Sequence, residues 1–503
     1  MTVKSSFGAV NLDVHPGADP SPAVLDPETP FRILLLGDFS GRAARAAKTS
    51  TGWKPVEIDR DNFEEVLART DPGFAGMRFR ELDDFHPDRI YGQNKLFQEI
   101  RAVRRKLEEP ATLAEAAAAI RAWTGEQTPP AATVRTAPPA EPQRPPLPDA
   151  ASGVSLLDSM VEAAEPTAPP PVTRRSDLQR FVERVVAPYA VPGENPELSR
   201  LRPLVDAEAG ARMRAVLHHS TFQALEAAWR AVFHLVQAIE TGSQLKLYLL
   251  DVSKAELAAD LSSADDLRQS RAWRILVEET VGTGGDAWSV VAGNYSFART
   301  EGDAQMLGRL ARIMNFAGAP FLGEADPGSG SGNSSGHSSG NSGAETDDGE
   351  RHWERLRRLP EACRIGLAMP RFLLRLPYGK KTDPVESFDF EEMPGVPDHP
   401  QYLWGNPAFA CVQLLAEAFA NDAWEMRAGA CAEIDGLPLH VYEAEGEKQV
   451  KPCAEVLLTD REIDWILDQG YMALASIRDR DAVRLVRFQS IAKPLARLSG
   501  RWE

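Results

Sequence analysis

The chain has 503 residues, 43% of them hydrophobic and 26% charged, and its 73 acidic against 56 basic side chains give a formal net charge of −17. That length asks for two to four domains, and a field of that sign disfavours general binding to nucleic acid or anionic lipid. The four cysteines, Cys363, Cys411, Cys431 and Cys453, lie too far apart for a CxxC zinc site and are too few to staple a chain this long, so reduced thiols in a cytoplasmic protein are expected.

The first ten residues lack the apolar stretch of a signal peptide, and no window approaches 18 uninterrupted apolar residues, so neither an export signal nor a membrane span is expected. After an N-terminal arm (1–29), Phe31-Arg-Ile-Leu-Leu-Leu-Gly-Asp has the length and apolarity of a strand buried on both faces. Asp61 to Arg69 opens with cap-forming and acidic residues and predicts a helix. Leu96, Ile100, Val103 and Leu107 recur at helical spacing and predict one buried stripe, followed by an Ala-rich helix at Leu113 to Trp123. These elements make a small α/β block over 30–124.

Residues 125–175 are Pro/Ala-rich, with eight prolines between Pro129 and Pro148, and read as an extended linker. From 176 to 503, helical and strand-like segments alternate. Phe222, Leu225, Trp229, Phe233 and Val236 mark a helix, Leu245 to Leu250 a strand, and Lys254 to Leu261 a helix. Trp288 to Gly293 reads as a strand, Ala304 to Phe316 as a helix and Ile365 to Met369 as a strand; a helix over Pro407 to Ala420 and a strand over Glu455 to Thr459 follow. A Gly/Ser-rich loop at 328–343, with 13 Gly or Ser among 16 residues, interrupts this block. The fold class is therefore α/β (α+β), a small α/β block linked to a larger mixed α/β block.

No motif asks for catalysis. Gly37-Asp-Phe-Ser-Gly-Arg follows a strand but lacks both phosphate-loop spacings, and reads as a turn. Gly282-Thr-Gly-Gly-Asp precedes a strand, the wrong order for an anion cradle at a helix start. His218 and His219 point about 100° apart on a helix and have no H-x-x-x-H partner, so helix packing is expected rather than metal binding. His337 stands alone in the Gly/Ser loop. Asp83-Asp84 and Glu391-Glu392 pair with no base or nucleophile in sequence, and are expected as solvated or salt-bridged acids. No catalytic residue, metal or cofactor is expected, although residues that meet only in three dimensions leave an enzyme as a third reading.

One segment of the linker stands out. Ser155-Leu-Leu-Asp-Ser-Met-Val-Glu-Ala-Ala-Glu, spanning 155–165, has capping-box spacing between Ser155 and Asp158 and places Leu156, Leu157, Met160 and Val161 at helical intervals. So short a helix is marginal alone in water; it either docks in a partner's groove or packs back on its own domain.

Taken together, the motifs resemble the contractile sheath proteins of the bacterial type VI secretion system, small and large subunits in one chain. The small-subunit likeness rests on Pro30-Phe-Arg-Ile-Leu-Leu-Leu-Gly-Asp-Phe-Ser-Gly, Ile58-Asp-Arg-Asp-Asn-Phe and Leu82-Asp-Asp-Phe-His-Pro-Asp. The large-subunit likeness rests on His218-His-Ser-Thr-Phe-Gln-Ala-Leu-Glu-Ala-Ala-Trp-Arg, Val291-Ala-Gly-Asn-Tyr-Ser-Phe, Ala319-Pro-Phe, Pro370-Arg-Phe-Leu-Leu-Arg-Leu-Pro-Tyr-Gly, Leu403-Trp-Gly-Asn-Pro-Ala-Phe and Glu455-Val-Leu-Leu-Thr-Asp-Arg.

The resemblance implies a non-enzymatic subunit that self-associates or joins other sheath subunits around a tube, switches between two packings, and is dismantled by an AAA+ unfoldase. It places the helix carrying Leu156, Leu157, Met160 and Val161 where such an unfoldase grips. It also marks Arg371 and Arg375 as candidate interface residues, with a buried structural role as the alternative. The family's usual C-terminal segment is not found before Glu503, which raises a second expectation: a non-polymerising adaptor or cap that binds baseplate, tube or sheath.

Overall fold

The computed structural model describes residues 28–45, 52–109, 111–124, 196–263, 266–283, 285–326 and 343–503. The linker helix with Leu156, Leu157, Met160 and Val161, the N-terminal arm up to residue 27, and His337 lie outside the described residues.

Two compact units are present, one built from 1–100 and 206–503, the other from Arg101–Val205. In the first, β1 (Phe31–Gly37), β2 (Val56–Ile58), β5 (Leu245–Asp251), β6 (Val290–Phe297), β7 (Phe321–Ala325), β8 (Ile365–Met369), β11 (Glu433–Ile434), β14 (Met472–Ser476) and β15 (Val483–Leu485) form one sheet in the order β11-β15-β14-β8-β7-β6-β1-β5-β2. The six strands from β14 to β5 run parallel, and β2, β15 and β11 are antiparallel additions at the two ends. Short ribbons pair β3 (Gly73–Phe74) with β4 (Met77–Arg78), β9 (Phe372–Leu373) with β10 (Trp404–Gly405), and β12 (His440–Ala444) with β13 (Glu447–Lys451).

The main helices are α1 (Phe63–Thr70), α2 (Pro87–Gln93), α3 (Gln98–Glu108), α4 (Leu113–Thr124), α5 (Pro196–Leu217), α6 (Ser220–Ala238), α7 (Lys254–Ser263), α8 (Glu301–Ala317), α9 (Gly343–Arg357), α10 (Pro407–Asp422) and α11 (Asp460–Asp468). Their sequence signals are physical. Pro407 fixes φ at the first turn of α10 while the Asn406 side chain accepts from the Ala408 N–H. Gly318 takes φ +71° to end α8, a backbone state that a side chain opposes.

β1 lies inside the sheet, third from the β2 edge. It pairs in register with β5 from Phe31↔Leu245 to Gly37↔Asp251 and with β6 from Ile33↔Val290 to Leu36↔Gly293. Both of its faces are covered, as the unbroken apolar run requires. Leu34 and Leu36 join a core with Leu257, Leu307, Leu310 and Trp353, while Phe31 stacks on Phe419 of α10 with ring centroids 4.7 Å apart. Other residues of the same unit, from Phe39 to Phe85, pack on α6 through aromatic rings. Phe79 stacks on Phe85 at 4.2 Å, both meet Phe222, and the Trp229 indole donates to the Phe39 carbonyl at 2.8 Å. In the second unit, Ala116, Ala117 and Ile120 of α4 and Leu201 and Val205 of α5 are buried.

Three local expectations are corrected. Leu96 is exposed rather than part of the helical stripe, because Lys95–Phe97 forms a 3-10 turn capped by Asn94 and Phe97 takes the buried place. The strand expected from Trp288 begins at Val290; Trp288 instead donates its indole N–H to the Ile275 carbonyl. Glu455 to Thr459 is not a strand. Glu455 is held by Arg371, and Thr459 caps α11, accepting from the Glu462 N–H while Glu462 accepts from the Thr459 N–H.

Candidate functional site

Open α/β sheets usually take a ligand in the crevice beyond the carboxyl ends of their strands, and β1 and β5 end there side by side. Here the protein's own side chains fill it. Arg42 forms ion pairs with Asp251 and Glu256 and donates to the Asp251 carbonyl at 3.0 Å. Asp38 accepts from the Arg42 and Ala43 N–H groups at 2.8 and 2.9 Å, and Ser40 N–H reaches Asp251 at 3.1 Å. Gly37-Asp-Phe-Ser-Gly-Arg is thus a self-capped turn bolted to β5.

A dense polar constellation surrounds Arg375, which follows β9. Its guanidinium holds Glu226 of α6 at 2.7 Å and Glu392 at 2.7 Å, and lies 4.2 Å from the Tyr378 ring centroid. Arg230, one turn along α6, bonds Glu226 at 2.8 Å and the Tyr378 hydroxyl at 2.8 Å. Glu392 also accepts from the Tyr378 N–H at 2.8 Å, and His218 Nε2 lies 3.5 Å away. Glu226 and Glu392 are 0% and 1% exposed, so two carboxylates and two guanidiniums form a neutral, almost dry network. Burial alone would raise the Glu392 carboxyl, yet Arg375, His218 and the Tyr378 N–H bring it down to about 2. Burial pushes Tyr378 up to about 12 against the pull of Arg230 and Arg375.

A second group centres on Arg371. It clamps Glu455 with two bonds of 2.8 and 2.5 Å, and His399 bonds both Glu455 at 3.2 Å and Lys451 at 2.9 Å. Burial pushes Glu324 of β7 up to about 7, the Glu455 carboxylate adding to the rise and the Arg371 guanidinium opposing it.

Of the two arginines marked by sequence, Arg375 is 9% exposed and its donors are engaged inside the subunit, whereas Arg371 is 37% exposed. His219 caps α6, accepting from Thr221 N–H, and Asp84 caps the 3-10 turn Leu82–Phe85. Glu391 accepts from the Lys380 N–H at 3.2 Å. Glu226, Arg230 and Tyr378 were not singled out in the sequence. Their signal is Glu226 itself, an acid one turn after Phe222 on the apolar face of α6. Among the described residues no group of His, Cys, Asp and Glu is arranged to hold a metal, and no helix is long and apolar enough to cross a membrane.

Comparison with known proteins sets this network in a family. Residues 203–492, more than half of the chain, match the VipB family model, a tail sheath N-terminal domain. The chain belongs to the VipB family of sheath proteins. Residues 18–76 match the VipA family model of the type VI secretion system, so both sheath-protein likenesses occur in one chain. The chain is also 34% identical over 300 residues to the type VI secretion system sheath protein TssC1 of Pseudomonas aeruginosa. That alignment covers 58% of this chain and 60% of TssC1, so the chain spans about 60% of that relative's length. The buried network belongs wholly to the VipB-matched region.

Proposed function

We propose that this VipB-family chain is a structural, non-enzymatic subunit of a type VI contractile sheath, acting in the cytoplasm by self-association and contact with other sheath subunits. It carries a small-subunit-like block (30–124) and a large-subunit-like block (176–503) on one polypeptide, joined by the linker 125–175. The observation that carries this reading is β1: a strand from the VipA-matched segment lies between β5 and β6 of the VipB-matched region. A covalent link between two such parts fixes their ratio and raises the effective concentration of each for the other.

Tube and baseplate are the further partners this reading names. An AAA+ unfoldase gripping Leu156, Leu157, Met160 and Val161 would recover spent assemblies. Arg371, being partly exposed, is the interface candidate of the two arginines. Electron microscopy of the purified chain should show rings or tubes. Monodisperse single subunits at every concentration would overturn the sheath reading and favour a non-polymerising adaptor.

A further inference from the structure

A cleft of about 820 Å³ opens where residues 426–430, 486–489 and 495–498 meet Trp502 and Glu503. Arg427, Arg487 and Arg497 line it, all exposed and without an ion-pair partner among the described residues. Glu503 is the lone acid of the lining, and Val486 and Leu495 are exposed at 39% and 45%. On a chain of net charge −17 this concentration of unpaired guanidinium is a local reversal of the field. A small ligand would need a buried polar group to orient it. The buried polar side chain of the lining, Gln489, already has its amide nitrogen held by the Leu467 and Tyr471 carbonyls. The cleft therefore suits a protein segment with acids and a few apolar contacts.

The same unit carries such a segment. β12 and β13 form a two-stranded hairpin, with Glu445 at φ +54° and Gly446 at φ +80° in its two-residue turn. Glu443, Glu445 and Glu447 crowd the tip, all exposed and without an ion-pair partner among the described residues; Lys448 is the one cation beside them. Behind them Val441 and Val450 face each other across the strands, exposed at 53% and 45%. Three acids with an exposed valine pair complement three arginines with an exposed valine and leucine.

We propose that the acidic hairpin of one copy docks in the arginine cleft of the next, a contact that rests on the sheath reading. Where one copy's hairpin fills its neighbour's cleft while its own cleft takes the hairpin of a third copy, the contact is head-to-tail, and repetition yields a ring or a filament. Opposed charges give it steering and register, while the apolar pairs exclude water at its centre.

Charge exchange in the full-length chain tests this, read by light scattering and sedimentation across a concentration series. Arg427→Glu/Arg487→Glu/Arg497→Glu and, separately, Glu443→Lys/Glu445→Lys/Glu447→Lys should each raise the concentration needed for assembly by about ten-fold or more. An equimolar mixture of the two variants should restore it, since each then offers the other a complementary partner. Unchanged melting curves check that both variants fold. If the wild type assembles and neither variant shifts it, or mixing restores nothing, the docking is wrong while the sheath reading stands. A wild type that never self-associates overturns both.

Discussion

Glu226 and Glu392 share Arg375 in a space that excludes nearly all water, so each carboxylate relies on its cation. Replacing Glu226 by Gln leaves Arg375 and Arg230 with less compensation, and should cost about 3–5 kcal/mol, read as a lower urea midpoint; an unchanged midpoint would show that the network is not structural. Glu392 titrates far below an ordinary glutamate, so its contribution is present above about pH 4.5 and is lost as pH falls towards 2. Glu324 works in the opposite sense. Facing Arg371, Glu455 and Asp326, with Ser296 as a hydrogen-bond partner, it keeps its proton up to about pH 7 in the fold, whereas an unfolded glutamate loses it near 4.5. Stability from this group is therefore greatest in acid and falls as pH rises through 4.5 to 7. Glu324→Gln should melt above the wild type at pH 8, with the gap shrinking towards pH 5; a gap independent of pH would contradict the assignment.

At the scale of single elements, β6 shows how tightly the sheet is packed. A Cβ at Gly293 would fall 2.6 Å from the Tyr295 ring and 2.7 Å from the Phe321 ring, both buried. Gly293→Ala should therefore lower the melting temperature, the overpacking costing about 1–3 kcal/mol. In α11 the Thr459–Glu462 capping box should be worth about 1 kcal/mol, so Thr459→Ala loses that much in chemical denaturation. Elements of this kind were largely legible. β1, β5, β8 and α10 follow their apolar runs and caps, because local pattern and burial agree. Leu96 misled because a local 3-10 turn hands the buried place to its neighbour Phe97, and the segment 455–459 misled because a distant partner, Arg371, 84 residues away in sequence, holds Glu455. The network around Arg375 was invisible for the same reason. Glu226 and Arg375 lie 149 residues apart, and no local spacing announces their meeting.

The whole molecule depends on a strand donated by its own beginning. Splitting the chain into 1–124 and 176–503 should leave the larger piece poorly soluble when made alone, since β5 and β6 lose the strand between them. Making both pieces together should restore a soluble pair that co-purifies; good solubility of the larger piece alone would mean that the sheet closes without β1. The alternation of strands and helices identified the class, but not that the first strand would be an interior one, between β6 and β5.

That placement also governs the order of events on the ribosome. Arg32 N–H bonds Ser289 Oγ, a partner 257 residues further along. At roughly 5–20 residues per second, β1 leaves the ribosome some tens of seconds before β6 exists to cover its second edge. Throughout that interval the most apolar strand of the N-terminal block is a naked template for mispairing. Newly made chains should thus depend on a chaperone able to shield Phe31–Gly37 during synthesis, and the finished sheet should then be slow to release it.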